Sequence, residues 1–140
     1  MKKNFEDRFM EIQEGLISLC LEVTEGDIDK VYAYASIEKK SVMFNAFFEK
    51  DGRVVTINQL NIDSKIAMNF LRVGTMDLLK LKAICEEYEA KCPTEIKLFY
   101  DVKTGKCDVD YRYDEVCSSK MDLSSGEVFL EWYNQVKDSE

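Results

Sequence analysis

Apolar residues at the start of the chain recur by threes and fours. Phe5, Phe9, Ile12, Leu16, Leu19, Cys20 and Val23 form one stripe, and Glu6, Glu11, Gln13 and Glu14 fall off it. This period predicts an amphipathic helix of about five turns. The stretch Thr24 to Asp29 ends it with Gly26 and acidic residues.

The period then shortens to two. In VYAYASIE (31–38), Val31, Ala33, Ala35 and Ile37 share one parity, opposite Tyr32, Tyr34, Ser36 and Glu38. In VMFNAFFEK (42–50), Val42, Phe44, Ala46 and Phe48 share a face, and the short Lys39–Ser41 connection suits a hairpin. Asp51-Gly52 is the strongest hairpin signal in the chain and leads into RVVTINQL (53–60), so a three-stranded antiparallel meander is expected.

From Asp63 to Cys92 the period is helical again, with Leu78, Leu81, Cys85, Tyr88 and Cys92 on one stripe. Gly74 and Thr75 are read as separating a weaker helix or loop (62–72) from the main helix, which Pro93 stops. EIKLFYDV (95–102) and CDVDYRYD (107–114) follow as a second hairpin, joined by Lys103-Thr104-Gly105-Lys106. Ser125-Gly126-Glu127 opens a last helix carrying Val128, Phe129, Trp132, Tyr133 and Val136. The order α-β-β-β-α-β-β-α predicts a single α+β domain over residues 1–140, an antiparallel sheet of about five strands with helices packed mainly on one face.

The stretch from Lys106 to Val116 alternates strictly. Cys107, Val109, Tyr111 and Tyr113 belong to a core face, and Asp108, Asp110, Arg112 and Asp114 to an outer one. With Glu115 following and Asp101 across the hairpin, this outer face is expected to carry more negative charge than Arg112 and Lys97 cancel. Aromatic residues on the parity opposite the core, Tyr34 and Phe99 among them, are candidate anchors for a partner.

Composition narrows what such a face is for. The 140 residues carry a net charge of -8, which disfavours direct binding of nucleic acid or an anionic membrane and favours a basic protein partner. The N-terminus lacks the unbroken apolar stretch of a signal peptide, and no run reaches transmembrane length, so a cytoplasmic location is expected. The five cysteines lack CxxC spacing, fall mostly at apolar positions, and read as reduced core thiols.

The chain contains no histidine, which removes the commonest general base and metal ligand. Glycine-rich phosphate loops are missing too. A calcium loop on Asp108, Asp110 and Arg112 fails because the third ligand position is a cation and the sixth is Tyr113. Asp108 and Asp110 point the same way and suit a magnesium ion, but Arg112 beside them competes with it. Neither catalysis nor a cofactor is expected.

The succession DKVYAYASIE, SVMFNAFFEKDGRVV, a long central helix, PTEIKLFYDVKTGKCDVDYRYDE and a closing FLEWY resembles the YezG-type immunity proteins. The resemblance rests on Val31, Tyr32 and Tyr34; on Phe44, Phe47, Phe48, Asp51 and Gly52; on Leu98, Gly105, Asp108, Asp110, Tyr111, Tyr113 and Asp114; and on Trp132 and Tyr133. The chain departs from the pattern at Ala35-Ser36 and at Asp29, where the family's tryptophan is expected.

The resemblance implies a cytosolic antitoxin that acts stoichiometrically on a cognate toxin domain, expected to be a nuclease with a basic cleft, and that is a monomer when free. The expected contact set is Asp101, Asp108, Asp110, Arg112, Asp114, Glu115, Tyr34 and Phe99. The alternative is a chaperone or adaptor that binds a secreted client without inhibiting it.

Overall fold

The structure is a computed structural model that describes residues 4–38, 41–113 and 125–139. Its elements are α1 (Phe5–Val23), β1 (Lys30–Ile37), β2 (Val42–Lys50), β3 (Arg53–Thr56), a 3-10 turn (Ile57–Leu60), α2 (Ser64–Glu87), β4 (Glu95–Asp101), β5 (Cys107–Arg112) and α3 (Ser125–Asp138). The strands form one sheet in the order β3-β2-β1-β4-β5. Every neighbouring pair is antiparallel. The expected α+β architecture and element order are therefore present.

The sheet is covered on both faces. Val31, Ala33, Ala35 and Ile37 of β1, with Phe44, Ala46 and Phe48 of β2, meet the apolar stripes of α1 and α2 in the larger core. The opposite parity, Tyr32, Tyr34 and Phe47, packs under α3 against Val128, Phe129, Trp132 and Tyr133. Tyr32 and Phe47 stack at 4.7 Å between centroids, and Trp132 meets Phe47 edge-on at 4.9 Å. Both parities of the central strands are apolar because both are buried.

Two expected boundaries move. The strand predicted over 53–60 ends at Thr56, where the chain turns into the 3-10 turn; the Thr56 N–H donates to Gln59 Oε1 at 2.8 Å, and Asn61 takes a left-handed φ of 59°. The break expected at Gly74 and Thr75 is absent, and α2 runs unbroken through both. Gly74 lies against the sheet, where a Cβ would stand 2.2 Å from Phe44 Cδ2. The glycine permits close approach of α2 to β2 and does not end the helix.

Helix ends follow local chemistry. Asn4 and Asp63 cap α1 and α2 by accepting backbone N–H groups of Asp7 and Lys65. Both helices close with paired return hydrogen bonds over a left-handed glutamate, Glu25 (φ 54°) and Glu89 (φ 53°). The Asp51-Gly52 turn has positive φ at both residues (53° and 80°), as a two-residue hairpin of this hand requires. Gln13, off the apolar stripe of α1, is nevertheless buried and accepts the Tyr111 hydroxyl proton.

Candidate functional site

Within the described residues, cations lie beside part of the carboxylate face of the β4–β5 hairpin. Asp108 lies 3.8 Å from the Lys106 ammonium, and Asp110 stands in register with Lys97. Arg112 stands in register with Glu95, whose carboxylate is 1% exposed and 4.0 Å from the guanidinium. Asp101 Oδ1 accepts the N–H groups of Lys103 and Thr104 at 3.0 and 3.3 Å, so this carboxylate shapes the turn. Asp114 and Glu115 lie outside the described residues.

The aromatic members of the expected contact set separate. Phe99 is half-buried beside Tyr32 at 5.3 Å between centroids. Tyr34 is 0% exposed, beneath Phe129 and Trp132 of α3, so its expected role as an accessible anchor is overturned. The cause is α3, which covers the face that alternation alone leaves open.

Negative charge gathers elsewhere. A groove of about 520 Å³ opens where the C-terminal end of α1, the β2–β3 turn and the first turns of α2 meet. Its floor is apolar, formed by Leu19, Val23, Ile28, Leu60, Ile62 and Phe70, and Ile66 stands at its edge 55% exposed. Its charged lining is four carboxylates, Glu22, Glu25, Asp27 and Asp63, against the single ammonium of Lys50.

Lys50 donates to Asp27 Oδ2 at 2.7 Å, and that hydrogen bond, with the neighbouring charges of Asp27, Asp51 and Asp29, raises its pKa. Asp29 accepts the Asp51 N–H at 2.9 Å, fixing the hairpin turn at the groove wall. The last turn of α1 contains no basic residue to balance the negative end of its dipole. The groove therefore presents a cation-seeking rim around an apolar floor.

The sequence reading passed over this site because its parts lie in three separate turns. In sequence Glu25 and Asp27 stand out only as part of the polar break after α1 and Asp63 as the start of a helical period, and Glu22 carries no signal of its own. The available signal is carboxylate density in turns, EVTEGDID from Glu22 to Asp29, with Lys50-Asp51 and Asp63 beyond it.

Other chemistries find little support in the geometry. Among the described residues, no group of three or more Cys, Asp or Glu side chains is placed to hold a metal ion, so the Asp108–Asp110 pair gains no further ligand. Of the cysteines described, Cys20 and Cys85 are buried and Cys92 is half-buried, but Cys107 is exposed, a correction to its assignment as a core thiol. Among the described residues no helix is long and apolar enough to cross a membrane. No protein-family model matches the chain, and no curated protein matches it.

Proposed function

We propose that this chain is a cytoplasmic, non-catalytic binding protein of the immunity type, which holds a basic toxin domain and blocks its active cleft. The observation that carries the reading is the groove at the end of α1, where four carboxylates surround an apolar floor and one ammonium. A nuclease is the toxin class that fits best, because a cleft built for phosphates must be cationic. Lysine or arginine heads of the toxin meet the rim, and their methylene stems or neighbouring apolar side chains cover Leu19, Val23 and Phe70.

The physical advantage is speed and selection. Complementary charge raises association rates to roughly 10⁸ per molar per second at low salt, which matters when a toxin must be captured before it cuts. Affinity comes from the dehydrated centre of the contact, which the apolar floor provides. On this reading the β4–β5 hairpin contributes less to steering, because Asp108 and Asp110 already face lysines.

Co-expression with the toxin-like product of the adjacent gene tests the proposal. Growth rescue, a stoichiometric complex and loss of toxin activity in the purified mixture support it. A complex that leaves toxin activity intact supports the chaperone reading instead, and no rescue by the intact protein rejects inhibition.

A further inference from the structure

Lys50 stands where the pattern of β2 calls for an apolar residue. Val42, Phe44, Ala46 and Phe48 alternate onto the face beneath α1 and α2, and Lys50 continues that parity at the end of the strand. Its side chain therefore lines the groove at the end of α1, while Glu49, on the other parity, pairs with Lys30 at 3.5 Å. In the groove the Lys50 ammonium donates to Asp27 Oδ2 at 2.7 Å. That bond, with the charges of Asp27, Asp51 and Asp29, raises its pKa and keeps it cationic.

The pair does little for folding. The side chains of Lys50 and Asp27 are 39% and 77% exposed, and an ion pair this wet contributes little to stability. Its consequence falls on the groove instead. An aliphatic stem beside an apolar floor, with a charge held at a carboxylate rim, is the chemistry that a basic side chain from outside would bring. Lys50 supplies it from within, at Asp27, and leaves Glu22, Glu25 and Asp63 as the remaining carboxylates of the lining.

We propose that Lys50 is the built-in occupant of the groove, an intramolecular cation that an arginine of the partner displaces from Asp27. The inference rests on the reading of this groove as the partner's contact. An incoming lysine offers Asp27 only the ammonium it already holds, against a tethered group whose effective concentration is on the order of millimolar. An arginine offers more, because its planar fork donates two parallel hydrogen bonds to one carboxylate and its weaker hydration makes it easier to take from water. Lys50 thereby sets a threshold that scattered surface lysines do not pass. Without it the rim keeps four carboxylates and no ammonium, and a basic ligand binds more tightly.

Fluorescence anisotropy of a labelled hexa-arginine peptide with the full chain, at about 50 mM salt, tests this without any toxin. Lys50→Met should tighten binding about threefold or more, and Lys50→Gln should do the same. Lys91→Met, an equal change of charge just beyond the far end of α2, about 36 Å away, should change it less than about twofold. Asp27→Asn separates exchange from simple repulsion. It should weaken binding about threefold or more in the Lys50→Met background but less than about twofold in the unaltered chain, where Asp27 is already taken. If Glu22→Lys/Glu25→Lys weakens the peptide no more than Asp108→Lys/Asp110→Lys, the groove reading itself is rejected. Groove-dependent binding that Lys50→Met leaves unchanged or weakens, or an Asp27→Asn effect equal in both backgrounds, would overturn the exchange alone.

Discussion

Phe44 occupies the space that a side chain at Gly74 would need. A Cβ there would lie 2.2 Å from Phe44 Cδ2 and 2.6 Å from two further ring atoms. The ring cannot yield easily, being 3% exposed and packed edge-on against Phe70 at 5.3 Å. Gly74→Ala should therefore destabilise the fold by about 1–3 kcal/mol net, although alanine is the better helix former by about 1 kcal/mol. Urea denaturation checks this; a stabilised variant would show that α2 is not pinned at Gly74.

Phe47 is the centre of the second core, in ring contact with Tyr32, Phe129, Trp132 and Tyr133. Phe47→Ala should cost about 3–5 kcal/mol. Trp132 is the only tryptophan, so its fluorescence reports on α3 directly. The emission should shift to the red in the variant before global unfolding; an unshifted spectrum would mean that α3 is held by other contacts.

Glu89 closes α2 with a left-handed φ of 53°, a conformation that costs a side-chain-bearing residue about 1 kcal/mol. Glu89→Gly should raise stability by about 0.5–1 kcal/mol, after allowing for the greater freedom of glycine in the unfolded chain. A lower melting temperature would contradict this reading of the cap.

Burial raises the pKa of Cys20, and burial followed by its hydrogen bond to Cys85 pushes Cys92 up to about 12. The folded protein keeps these thiols protonated where the unfolded chain ionises them, from an ordinary value of 9.0 upward. Their contribution to stability is thus fully present below pH 9.0 and is lost as pH rises toward 12. Tyr32 and Tyr111, raised chiefly by burial above an ordinary 10.0, act in the same direction. Denaturation at a series of alkaline pH values should show stability falling above pH 9.0, with a shallower fall in Cys20→Ala. Stability independent of pH across that range would refute the assignment.

Alternation located the strands because period two survives in any strand with a buried face, as in Val31, Ala33, Ala35 and Ile37. It located the Asp51-Gly52 turn because that dipeptide favours the backbone angles found there. What it could not convey was the second covering layer. Tyr34 and Phe47 read as exposed from their parity, yet α3 covers them from a place in sequence far beyond the sheet's central strands. Gly74 misled for a related reason: a glycine required by close approach looks in sequence like one that ends a helix.

The site was less legible than the fold. Asp108 and Asp110 stand out because they are neighbours in sequence; Lys106, two residues before Asp108, lies 3.8 Å from it, and pairing between strands sets Lys97 in register with Asp110. The acidic groove joins residues from the end of α1, the β2–β3 turn and the start of α2. No window of sequence contains them together, so their joint field exists only in the folded chain.

The association rate constant with the toxin domain, measured by stopped flow at about 50 mM and about 300 mM salt, tests the central claim most directly. The variants to compare are Glu22→Lys/Glu25→Lys in the groove and Asp108→Lys/Asp110→Lys on the hairpin. The groove pair should lower the low-salt rate about tenfold or more and flatten its salt dependence, whereas the hairpin pair should change it little. A rate that is unmoved by the groove substitutions, with the salt dependence residing in the hairpin, would contradict the account.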